Sequence, residues 1–255
     1  MCVNILFFQP GKKSYLSELN IVLIGGRDPD KPNGKSSVGN IILGREAFKT
    51  NTLTSTSVMR QELVSGRQVS VVDTPGWRST HPLDLTPKLT QLEIQQSVGL
   101  CPPGPLAFGL VVRLDLPLVG TGMSAEEHVS FLLSDRAWKH AIVLFTVADK
   151  NNMRPDLITS NADLRYLTEK CEGRHHVLDI SDRGDGSQVT DLLQKVAQIV
   201  QSNGGHYETE EHVSEELKEK ERTIRRRAEQ RRTDAQKQST GPPKHIGMLC
   251  LLCFN

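Results

Sequence analysis

The sequence predicts an α/β domain on a mixed, mostly parallel sheet, followed by a C-terminal helical extension. Two observations predict the domain. Apolar runs of strand length recur through the first two hundred residues, and the later runs are separated by segments with helical apolar spacing. A third observation sets the extension apart: the composition changes after Gly204-Gly205.

Residues 1–17 form an N-terminal segment. Its apolar run is too short for a signal peptide and no basic residue precedes it. Leu19 to Ile24 is the first buried strand. Val58 to Leu63, the turn Ser65-Gly66 and Gln68 to Val72 read as an antiparallel hairpin, which makes the sheet mixed. Ala107 to Leu114, Ala141 to Val147 and His176 to Ile180 are further strands. Pro155 with Leu157, Leu164 and Leu167 has helical spacing, as do Val189, Leu192, Leu193, Val196, Ile199 and Val200. The domain is expected over 18–203. Residues 204–240 are dense in Glu, Lys and Arg, with sparse apolar positions at Val213, Leu217, Ile224 and Ala228, and read as a solvated helix or a weak coiled coil. Gly241-Pro242-Pro243 stops that helix, and residues 241–255 are a short apolar tail.

Composition removes several functions. A net charge of +1 gives no global field for nucleic acid, and 5% aromatic residues make a poor base-stacking platform. The five scattered cysteines are no disulfide framework and point to a reducing compartment. No stretch reaches the roughly 18 apolar residues of a membrane span, so a soluble, cytoplasmic protein is expected.

The chemistry centres on Gly34-Lys35-Ser36-Ser37, which follows the first strand through a glycine-bearing loop and precedes a helix-compatible segment. This is the setting of a phosphate loop, with backbone N–H groups and Lys35 on the phosphates and Ser36 on magnesium. The loop is long: eight residues separate Gly25 from Gly34, where the motif has four. Pro29 and Pro32 lie inside it and offer no N–H. Asp73-Thr74-Pro75-Gly76 ends a strand, so Asp73 can hold magnesium through water and Gly76 can present its N–H to a γ-phosphate. Asp149, just past the strand ending at Val147, is placed to read a guanine edge or to form a turn before Lys150.

With these residues in hand the chain resembles the GTPase of immunity-associated proteins (GIMAP) family, the AIG1-type, septin-like branch of the P-loop GTPases. Gly34 to Gly44 is similar to the family's Gly-Lys-Ser-Ser-x-Gly-Asn-x-Ile-Leu-Gly. Gly66-Arg67-Gln68 into Asp73-Thr74-Pro75-Gly76 resembles its second block, and Cys101-Pro102-Pro103-Gly104-Pro105 its hallmark box. Trp138-Lys139-His140 and Lys170 to Leu178 resemble the last two blocks, especially of fish-like paralogues.

The resemblance implies a three-layer P-loop GTPase fold that binds GTP or GDP with Mg²⁺. It places Gly25, Gly34, Lys35, Ser36 and Ser37 at the phosphates, Thr54 (with Thr56 as the alternative) in the first switch, and Asp73 and Gly76 in the second. Asp149 and Asp179 fall near the base, and Ser36, Thr54 and Asp73 form the metal set. It also implies an immune setting, homo- or hetero-oligomers through the G-domain face, and peripheral contact of the C-terminal region with intracellular membranes.

Several positions depart from the family. Val147 stands where a basic residue supports the base, and Leu106 where the hallmark box has His. Trp77 follows Gly76 where Ras-like enzymes carry the glutamine that orients water. Hydrolysis is therefore expected to be slow or absent, with His81 the only nearby substitute. A second reading follows from the same departures: a nucleotide-free scaffold that acts through protein assembly.

Overall fold

The computed structural model describes residues 17–27, 34–50, 52–104, 106–116, 118–147, 154–182, 186–204 and 207, together with seven positions between 219 and 230. Among these, the order of elements is β1 (Glu18–Ile24), β2 (Gly26–Arg27), α1 (Lys35–Ile42), β3 (Val58–Val64), β4 (Arg67–Asp73) and β5 (Trp77–Arg78). There follow α2 (Lys88–Gln96), β6 (Leu106–Arg113), α3 (Thr121–Leu133), β7 (Ala141–Val147), α4 (Pro155–Ser160), α5 (Ala162–Lys170), β8 (His175–Asp179) and α6 (Gly186–Ser202).

Six strands form one sheet in the order β3-β4-β1-β6-β7-β8. β3 runs antiparallel to β4, and every other pairing is parallel. Side chains alternate across a strand, so each strand supplies two cores. Val22, Ile24, Phe108, Leu110, Val143 and Phe145 face α3 and α5 through Val129, Leu132, Leu164 and Leu167. Ile21, Leu23, Val69, Val71, Ile142 and Leu144 face α1 and α6 through Val38, Ile42, Leu192 and Val196. Both faces are covered, which is why these strands read as near-continuous apolar runs.

Two segments differ from their sequence patterns. The spacing from Pro155 to Leu167 is divided between α4 and α5, because the Asn161 side chain accepts the Leu164 N–H and starts a new helix. Helix α3 has no clean amphipathic signal: Thr121, Ser124 and His128 are buried beside its apolar residues.

The core also reaches beyond residue 203. Tyr207 is buried, edge-on to Phe108 at 4.8 Å and to His140 at 5.5 Å. It belongs to a compact unit spanning Met1–Glu211. The second unit is His212–Asn255. Its described positions are helical, and Arg222 pairs with Glu219 one turn away. No helix among the described residues is long and apolar enough to cross a membrane. Truncation of Tyr207 to alanine is expected to cost about 3 kcal/mol, the usual loss for a buried aromatic. A chain ending at residue 211 should keep the thermal midpoint of the full protein, and one ending at 203 should lose it; differential scanning calorimetry distinguishes them.

A candidate phosphate and magnesium site

The loop between β1 and α1 begins under severe steric constraint. Gly25 has φ +151°, and a Cβ there would stand 2.5 Å from the Val111 carbonyl oxygen. The same loop ends on Gly34, whose left-handed φ of +79° turns the chain into α1. From the first turn of α1, Lys35 folds back and donates from Nζ to the Gly25 carbonyl at 3.2 Å. Gly34, Lys35, Ser36, Ser37, Thr54 and Gly76 line one cleft, joined by Arg27.

Beneath that cleft β4 delivers Asp73. Its Oδ2 accepts from Ser36 Oγ at 2.7 Å and from Thr54 Oγ1 at 3.1 Å, and the two hydroxyl oxygens are 3.5 Å apart. Its Oδ1 is buried and meets no hydrogen-bond donor among the described residues. Two hydroxyls and a carboxylate, all hard oxygen donors, suit Mg²⁺, and the unmet carboxylate oxygen has capacity left for a metal-bound water. Of the two candidate threonines, Thr54 reaches Asp73, and Thr56 is exposed.

Burial sets the electrostatics. It pushes the Lys35 ammonium down to about 8, with Asp73 pulling the other way and Arg27 adding to the depression. Burial also raises the Asp73 carboxyl above its ordinary value, against Lys35 and the two hydroxyls. A cation and an anion are thus held in the fold at a cost that a bound phosphate and metal would offset.

The segment that follows β4 is held by several contacts. Thr74 Oγ1 donates to the Leu23 carbonyl at 2.7 Å. Trp77 is buried and stacks on His128 of α3, with centroids 4.7 Å apart. His128 in turn bonds Thr86 Oγ1 through Nε2 and the Ser124 carbonyl through Nδ1, each at 2.7 Å. The His81 side chain lies against Thr80, outside the residues lining the cleft, while its carbonyl is held by Ser124 Oγ.

The base end is only partly brought in. Asp179 ends β8 in register with Val147 of β7 and accepts from the Ser181 N–H and hydroxyl through Oδ1. It is therefore at the expected sheet edge but not among the residues lining the phosphate cleft. Asp149 lies outside the described residues.

Residues 19–228 match the AIG1 family along most of the chain. The chain belongs to the AIG1 family. Its relatives include mouse GTPase IMAP family member 8, 30% identical over 195 residues, which cover 72% of this chain and 28% of that protein. Arabidopsis immune-associated nucleotide-binding protein 12 is 29% identical over 202 residues, or 74% of this chain and 50% of that one. This AIG1 chain thus spans half or less of the length of these relatives. Among solved structures, Arabidopsis Toc33 in complex with GDP and Mg²⁺ superposes with a TM-score of 0.58 at 14% identity, covering 77% of this chain and 90% of that one. At that identity the likeness speaks for the fold.

Sequence reasoning did not find Arg27 in the AIG1 cleft, nor the stacking of Trp77 on His128. Neither residue sits in a periodic pattern, and only their spatial neighbours reveal them. One prediction follows from Lys35. Between pH 8 and the ordinary lysine value the unfolded chain keeps a proton that the folded chain has released, so stability rises with pH in that window. The nucleotide-free protein should gain urea resistance from pH 8 to pH 10, and Lys35→Gln should abolish the gain.

Proposed function

We propose that this chain is a guanine-nucleotide-binding switch or assembly protein of the GIMAP type, with slow or no intrinsic GTP hydrolysis. One observation carries the reading: Ser36, Thr54 and Asp73 converge their oxygens beside Lys35 at the start of α1. In that arrangement Lys35 would leave the Gly25 carbonyl for the β and γ phosphates, and N–H groups at the start of α1 would hold the β-phosphate. Ser36 and Thr54 would hold Mg²⁺ directly and Asp73 through water. The ion would neutralise phosphate charge and link the two switches. The names of the relatives, a GTPase and a nucleotide-binding protein, support this direction, as does Toc33 with GDP and Mg²⁺.

Slow turnover follows from Trp77. The position next to Gly76 holds a buried indole stacked on His128, so no side chain there can position water. Assembly through the G-domain face is the companion proposal, supported by a Toc33 and Toc159 structure whose description ties dimerization to GTPase activity.

Labelled GTP with magnesium should bind and be displaced by GTP and GDP but poorly by ATP. Asp149→Asn should erode that preference, because the carboxylate's pair of acceptors becomes one donor and one acceptor. Equal competition by ATP would overturn the guanine assignment. No binding of either nucleotide would favour the scaffold reading.

A further inference from the structure

The long phosphate loop is the least expected feature of the chain, and its first residues have a definite place. Gly26 and Arg27 form a two-residue parallel ladder with Trp77 and Arg78. The Ser79 N–H continues it, donating to the Arg27 carbonyl at 3.1 Å. The fit is close: a Cβ at Gly26 would lie 2.5 Å from Ser79 Oγ and 2.7 Å from its Cα. The partner strand cannot drift, because Trp77 is stacked on His128. The loop is thus zipped to the second switch.

The zipper also carries a charge into the site. Arg27 lines the cleft with Lys35, Ser36, Thr54 and Gly76, and its Nε donates to the Gly76 carbonyl at 3.1 Å. That bond fixes the Gly76–Trp77 peptide next to the N–H expected to meet a γ-phosphate. A guanidinium has five donors in a rigid fork and takes phosphate oxygens in pairs, so one group can serve a carbonyl and a phosphate together. A lysine here, a single flexible point charge, could not reproduce that geometry. The proximity of Arg27 already tells on Lys35, whose ammonium it helps to push down.

We infer that Arg27 is an in-chain sensor of the terminal phosphate, bridging a γ-phosphate to the Gly76 carbonyl and so coupling triphosphate binding to the second switch. The inference rests on the proposed guanine-nucleotide binding and adds to it a specificity residue in the β2 ladder. Arg27 distinguishes GTP from GDP, since the diphosphate lacks the group that the guanidinium and Gly76 share. Charge-assisted hydrogen bonds of this kind account for about tenfold or more in affinity.

The test compares the full-length parent, Arg27→Met and Arg27→Lys for binding of GMPPNP and of GDP, both with magnesium, by isothermal titration. Arg27→Met is expected to weaken GMPPNP by about tenfold or more while leaving GDP within about threefold. Arg27→Lys should recover only part of the GMPPNP loss. Trp77 fluorescence should change with GMPPNP in the parent and lose that response in Arg27→Met. An unchanged ratio of GMPPNP to GDP affinity in both variants overturns the inference, whether both affinities hold or both fall together. The latter result would make Arg27 a purely structural tie. A parent that binds neither nucleotide overturns the proposed function and this inference with it. A parent that binds both, with variants that keep its ratio, overturns this inference alone.

Discussion

A buried carboxylate must be answered by hydrogen-bond donors or by a cation, and the answer given to Asp73 organises the upper edge of this domain. One oxygen accepts from Ser36 at the head of α1 and from Thr54 in the loop before β3. Three separate pieces of chain thereby meet at one atom. The cost is visible in the same residues: Lys35 is held below its ordinary ionisation range and Asp73 above its own.

The loop between Gly25 and Gly34 is longer than the motif it resembles. A longer loop ordinarily costs entropy on ordering, and the two prolines inside it remove N–H donors. Both ends are anchored here, however. Gly26 and Arg27 pair with Trp77 and Arg78, and Gly34 lies near Thr146 and Ile180 at the ends of β7 and β8. The ladder joins Arg27 to Trp77, and Trp77 joins α3 through His128, so the cleft and α3 are linked by continuous contacts. Rigid contacts of this sort can carry two discrete arrangements more readily than a graded deformation.

The sheet was legible because its strands are covered on both faces. Ala141–Val147 coincides with the apolar run that marks it, and His175–Asp179 is one residue earlier than the run His176 to Ile180. The hairpin of β3 and β4 was legible from Ser65-Gly66, where both residues adopt positive φ. Helix α3 was not, since its buried side includes His128, Ser124 and Thr121; His128 is satisfied by Thr86 and the Ser124 carbonyl and Ser124 by the His81 carbonyl, contacts that no apolar spacing reveals. The ladder of β2 and β5 is two residues long and leaves no periodic trace.

The sequence by itself determined the α/β class and the AIG1 motifs, because strand runs and motif spacings are local properties of the chain. The tertiary structure alone decided that Ser36 and Thr54 share one oxygen of Asp73, across 37 and 19 residues, and that Arg27 holds Gly76 across 49. Such contacts depend on sheet register and on the path of each loop over the strand ends, which no local pattern encodes.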